Sequence, residues 1–150
     1  MCPTEPTSVH SPSATLLGGE ALLRAQPRSA HDWIPLAPSG LPALAIDAMV
    51  RQTRIAQTEL AKALAIPERT LARRKREGVF SPDESAKLIR LARLVERAAE
   101  VFESQDLAFD WIKTPNASLD GFTPLSMLDT ELGAETVLDM LGRIEHGIFA

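Results

Sequence analysis

The chain carries a single cysteine, Cys2, so it can form no internal disulfide and no thiolate metal cage. Its three histidines, His10, His31 and His146, lie far apart, and no His-x-x-x-His or Cys–His ligand spacing occurs. No apolar run approaches the roughly 20 residues that span a bilayer, and no signal-peptide core follows Met1. A glycine-rich phosphate loop is missing too, because Gly18-Gly19 has no strand-like run before it. The carboxylates are spaced as a helical surface rather than as a catalytic pair. These absences argue against an enzyme and against any cofactor or metal, and they predict a soluble cytoplasmic protein with no membrane contact.

What is present points to helices. The 150 residues are 45% hydrophobic, enough for a real core in one domain or two small ones. Alanine and leucine dominate over β-branched residues, which predicts an all-α fold. The net charge of −4 hides an uneven distribution. Residues 51–80 hold eight Lys/Arg against three Glu, a local +5, whereas residues 101–150 hold two Lys/Arg against nine Asp/Glu, a local −7. A basic unit beside an acidic region suits two different partners, or one polyanion and one protein. The plainer alternative is that both faces are merely solvated.

The stretch Gln57 to Gly78 gives the basic unit a shape. Leu60, Ala61 and Leu64 make an apolar edge at helical spacing. Ala65-Ile66-Pro67 reads as a turn, with Pro67 in the first turn of a second helix, where its missing N–H costs nothing. Leu71 is the expected apolar anchor of that helix, leaving Glu68, Arg69, Thr70, Arg73 and Lys75 outward. This is the organisation of a helix-turn-helix, whose second helix can lie in the DNA major groove.

Around it, residues 1–40 are rich in proline and serine and read as a flexible lead-in. Within them Leu16, Leu17, Leu22 and Leu23 can form a short helical turn about Gly18-Gly19. Trp33, Ile34 and Leu36 can pack as an extended arm. A leading helix is expected from Pro42 to about Arg54, with Leu44, Ala45, Ala48 and Met49 on its packed side. Ser81-Pro82-Asp83-Glu84 is a capping box with proline at the first helical position, starting a helix that should reach about Phe102. Leu88, Leu91, Ala92, Val95, Ala99 and Phe102 form its apolar stripe, and its length suits a connection between two lobes or an oligomerisation surface. Asp106–Ile112 reads as a short helix presenting Leu107 and Trp111, ended before Pro115. Thr123-Pro124 opens another short helix through Leu128. Thr130 caps a final helix carrying Leu132, Val137, Leu138, Leu141 and Ile144, closed by Gly147. The expected division is 1–40 lead-in, 41–80 helix-turn-helix, 81–104 connecting helix and 105–150 C-terminal lobe.

The run Trp111-Ile112, Thr114-Pro115-Asn116, Leu119, Gly121, Pro124, Leu128, Thr130, Gly133, Val137, Leu141, Ile144, Gly147 resembles the toxin-binding domain of Xre-type antitoxins, which are encoded beside RES-domain toxins. With the upstream helices in the same order, the resemblance spans about residues 42–150. It implies an all-helical antitoxin that silences a NAD-depleting RES toxin by blocking its active-site entrance. It also implies self-association as a homodimer or higher oligomer, and binding to operator DNA. Two positions depart from the pattern. Ala65 stands where the family's turn usually has glycine, which predicts a negative φ and a tighter helical turn. Arg74 stands where the recognition helix is usually apolar, so it must snorkel along the surface or reach a phosphate.

On that resemblance, Arg69, Thr70 and Arg73 are the expected base-edge contacts, and Arg74, Lys75 and Arg76 the expected phosphate contacts. Glu68 would repel a phosphate, although it suits a helix N-terminus and can accept from a cytosine amine. For the toxin, the expected plug is Arg143, Glu145, His146, Gly147, Ile148, Phe149 and Ala150. An acidic lobe suits the cationic mouth that a pyrophosphate-binding site requires. Phe149 would be the apolar anchor, and Glu145 or the terminal carboxylate the partner of a toxin arginine. Arg143 and His146 can equally serve only to offset the helix dipole. The alternative to an antitoxin is a stand-alone helix-turn-helix regulator whose C-terminal lobe dimerises.

Overall fold

The structure, a computed structural model, describes residues 12–147. Among these residues every regular element is helical, and the one β-contact is an isolated antiparallel bridge between Pro42 and Val79. Four short helices come first: α1 (Pro12–Leu16), α2 (Gly19–Leu23), α3 (Ala30–Trp33) and α4 (Leu36–Ser39). Then follow α5 (Ala45–Thr53), α6 (Gln57–Ala63), α7 (Glu68–Glu77), the long α8 (Pro82–Phe102) and α9 (Gln105–Lys113). Two 3-10 turns, Ala117–Leu119 and Leu125–Asp129, lead into α10 (Glu131–Glu145).

Helix α8 starts where the capping box predicts. Ser81 Oγ accepts from the Glu84 N–H at 3.2 Å, and the Glu84 carboxylate accepts from the Ser81 N–H at 2.9 Å. The helix runs from the helix-turn-helix into the C-terminal helices, and its buried surface is wider than the predicted stripe. Leu88, Leu91, Ala92 and Val95 are buried as the stripe predicts, but Ile89, Leu94 and Ala98 are buried as well. These residues flank the stripe on both sides, Ile89 on one and Leu94 and Ala98 on the other, and α1, α4, α9 and α10 all pack on α8. Helix α8 is therefore the axis of one continuous core.

That packing corrects the expectation for the described part of the lead-in. Helices α1 and α2 form about Gly18-Gly19, and Leu16, Leu17 and Leu23 enter the core. Trp33, expected on an extended arm, sits in a helical turn at 4% exposure. Burying such side chains contributes about 2–3 kcal/mol each, enough to offset ordering costs in a proline-rich segment. Leu41 is fixed by its N–H, which donates to the buried Ser85 Oγ at 2.8 Å.

Smaller corrections follow the same logic. Helix α5 begins at Ala45 rather than Pro42, because Leu41 and Ala43 pair with Phe80 and Gly78. Leu44 consequently faces solvent, and Ile46 takes the expected place in the core. Leu107, Leu132 and Leu138 are exposed; Ala108, Ile112 and Ala134 carry the packing in their place, with Val137 and Leu141 buried as expected. The ends of α9 and α10 agree with expectation: Thr114 is extended before Pro115, and Thr130 Oγ1 accepts from Gly133 N–H at 3.0 Å.

The turn between α6 and α7 carries a further correction. Ala65 has φ +53°, in the left-handed region rather than the negative one. The Ile66 N–H donates to Ala61 O at 2.9 Å, five residues back, closing α6 in a Schellman motif. Burial of Ile66 requires that reversal, and alanine accepts the strain that glycine would avoid.

Candidate functional site

The two-helix unit places α7 with Leu71 inward, at 1% exposure, and its cations outward. Arg69, Arg73 and Arg76 follow one another at i, i+4 and i+7, so they form a single exposed stripe. Arg69 and Arg76 make no ion pair or hydrogen bond among the described residues, and Arg73 is 3.8 Å from Glu77 in a loose exposed pair. Thr70 lies half-buried beside the stripe.

The other two cations of the predicted set are committed within the protein. Arg74 Nε donates to Glu84 at 2.7 Å and its Nη1 to Glu77 at 3.0 Å, with its side chain only 21% exposed. Lys75 donates to Asp47 at 3.0 Å and to Gln57 at 2.6 Å. These bonds fasten α7 to the first turn of α8 and to α5 and α6. Arg74 thus solves the problem of standing at a usually apolar position by reaching the α8 cap. Burial alone would raise the Glu84 carboxyl, yet the Arg74 guanidinium and the Ser81 N–H and hydroxyl hold it below the ordinary range. The same bonds raise Arg74.

At the other end of the chain, Arg143, Glu145, His146 and Gly147 converge at the end of α10. Arg143 is exposed without a partner among the described residues, and His146 is exposed beside the Glu145 carboxylate. Gly147 has φ +71°, leaving the helix through the left-handed region. Glu145 is held by Arg97 of α8 in a bidentate pair with both distances 2.8 Å. The Arg97 hydrogen bonds lower the Glu145 carboxyl. No sequence signal links these residues, which lie 48 positions apart. Ile148, Phe149 and Ala150, expected in the same plug, lie outside the described residues.

The helix-turn-helix and the C-terminal lobe meet directly, α6 packing on the 3-10 turn Leu125–Asp129. Between them lies a cleft of about 270 Å³ lined by Glu59, Lys62, Lys113 and Asp129. Among the described residues no cluster of His, Cys, Asp or Glu could hold a metal ion, and no helix is long and apolar enough to cross a membrane.

Comparison with known proteins matches these two units separately. Residues 32–93 match the antitoxin Xre-like helix-turn-helix domain, and residues 97–147 match the antitoxin Xre/MbcA/ParS C-terminal toxin-binding domain. Antitoxin Xre of Yersinia enterocolitica is 37% identical over 107 residues, covering 70% of this chain and 72% of that one. Antitoxin Xre of Photorhabdus laumondii is 37% identical over 111 residues, covering 73% and 75%. A Sphingobium protein named Prs ADP-ribosylating antitoxin is 26% identical over 141 residues, 87% of each chain. With its helix-turn-helix and its toxin-binding domain, the chain belongs to the Xre family of antitoxins.

Proposed function

We propose that this antitoxin neutralises a RES-domain, NAD-depleting toxin by inserting its C-terminal segment into the toxin's active-site mouth, and that its dimers bind the operator of their own operon. The observation that carries the first part is the match of residues 97–147 to a toxin-binding domain whose last helix gathers Arg143, Glu145 and His146 at Gly147. Residues 101–150 have a local charge of −7, complementary to a site that binds a pyrophosphate. Glu145 already accepts from Arg97, so a toxin arginine must share or exchange that carboxylate. Phe149 is the apolar anchor of the plug. The exposed stripe Arg69, Arg73 and Arg76, with Thr70 beside it, favours DNA binding as the second activity. A dimer gives two such helices a pseudo-palindromic site to read.

Co-expression with the protein encoded beside this chain, followed by co-purification and an NAD assay, tests the reading. Rescue of growth, a stable complex and restored NAD are expected. Truncation after Gly147 should weaken neutralisation while leaving the helical core folded. Full protection by the truncated chain would remove the tail from the mechanism. No complex and no change in NAD would leave a stand-alone regulator.

A further inference from the structure

A groove of about 530 Å³ runs along α8 between the short N-terminal helices and α10. Its floor includes Trp33, Ile89 and Leu94, and its rims expose Ile34 at 64% and Leu138 at 43%. Among the described residues, the charged side chains lining it are Arg90, Arg93 and Arg97. Arg97 is committed to Glu145, but Arg90 and Arg93 have no ion pair or hydrogen bond among the described residues. An apolar trough with unmatched cations calls for an apolar surface that carries carboxylates.

Such a surface lies at the edge of the same groove. Glu131, Glu135, Leu138 and Gly142 fall at i, i+4, i+7 and i+11 on α10, within one narrow stripe. Glu131 and Glu135 are exposed and have no partner among the described residues. Gly142 stands mid-helix, where glycine weakens the helix, yet a Cβ added there would meet nothing within 4 Å. Packing among the described residues gives no reason for it. A second backbone or side chain approaching from outside does.

We infer that this face is where a second copy of the chain docks, Arg90 and Arg93 of each protomer meeting Glu131 and Glu135 of the other, with Ile34 and Leu138 at the centre and Gly142 at the closest approach. The patch carries both halves of the complement, cations on α8 and carboxylates on α10, so a two-fold arrangement satisfies both contacts at once and closes. This names the interface of the dimer proposed above and rests on that reading. It leaves the stripe of α7 free for its own partner.

The test uses the full chain and two charge-reversed variants, Arg90→Glu/Arg93→Glu and Glu131→Lys/Glu135→Lys. Their folds are checked by circular dichroism, and their masses by light scattering and sedimentation at micromolar concentration. Wild type should be a dimer, and each variant alone a monomer, with association weakened about tenfold or more by like charges across the interface. Mixed one to one, the variants should form a heterodimer, because reversed groove then meets reversed stripe while the unaltered pair is retained. Recovery on mixing also shows that neither variant failed for lack of folding. Gly142→Ala should weaken association without lowering the helical signal. A monomeric wild type would overturn the dimer itself. A dimeric wild type whose variants also dimerise alone would overturn only this face, even if those variants lose the toxin, since the groove would then hold the toxin instead.

Discussion

Two glycines of α10 should respond oppositely to the same substitution. At Gly133 an added Cβ would stand 1.9 Å from Met127 O, 2.9 Å from Met127 C and 3.0 Å from Thr130 Oγ1. Ordinary contact begins near 3.4 Å, so the carbonyl must retreat by about 1.5 Å, a backbone shift rather than a rotamer change. That carbonyl belongs to the 3-10 turn whose Leu125 and Leu128 are each 6% exposed. The alternative is for the start of α10 to swing away, losing the Thr130 cap at a cost of about 1 kcal/mol. Overpacking adds about 1–3 kcal/mol, and the better helix propensity of alanine returns at most about 1 kcal/mol. We expect Gly133→Ala to destabilise by about 2–3 kcal/mol, lowering the melting temperature by about 10 °C. Gly142→Ala meets no atom and, measured at low protein concentration, should instead stabilise by up to about 1 kcal/mol. Thermal melts followed by circular dichroism give both values. If Gly133→Ala melts within about 2 °C of wild type, the close approach of α10 to Met127 does not constrain the fold as argued.

Ala65→Gly should stabilise by about 0.5–1 kcal/mol, because φ +53° strains alanine and not glycine; chemical denaturation measures it, and a loss of stability would refute the strained turn. Glu84→Gln should cost about 1.5–3 kcal/mol at neutral pH, since the carboxylate binds Arg74 and the Ser81 N–H with its side chain 11% exposed. The Glu84 carboxyl is depressed in the fold, so its contribution is full above the unfolded value near 4.3 and fades as pH falls through the folded value. The melting-temperature gap between wild type and variant should therefore hold from pH 8 to about 5 and close below it; a gap independent of pH would refute the assignment. On operator DNA, Arg76→Ala should reduce the salt slope of binding by about one unit, whereas Arg74→Ala should lower thermal stability and leave the slope unchanged. The reverse pattern in a salt titration would return Arg74 to the phosphate-contacting set.

The parts of the molecule legible in the sequence are those set by neighbours in the chain. Ser81 and Glu84 cap α8, Thr130 caps α10, Pro115 ends α9, and Leu71 anchors α7, each within a few residues of the group it satisfies. What the sequence hides are relations between distant segments. The full buried width of α8 is invisible until the helices packed on it are in place, because Ile89, Leu94 and Ala98 look like ordinary residues of an amphipathic helix's two flanks. Leu132 and Leu107 fit an apolar period but stand exposed, on a side that no other described segment covers.

Charge shows the same division with consequences for the site. Composition places five cations at Arg69, Arg73, Arg74, Lys75 and Arg76, and the helical period turns Arg74 and Lys75, at i+3 and i+4 from Leu71, toward the protein without naming what holds them. Their partners are Glu84 and Asp47, which approach α7 from opposite sides in sequence, 10 and 28 positions away. Their pairing reduces the exposed set to a stripe of one residue per turn, a narrower cationic ridge than the composition implies. A ridge of that width can follow one edge of a groove and still leave Thr70 access to a base, which five unpaired cations on one helix would crowd. The two inward cations then hold α7 to α5, α6 and the start of α8. If α7 enters a DNA groove as proposed, Arg74 and Lys75 act there only through the position of α7, and the α8 cap supports that position.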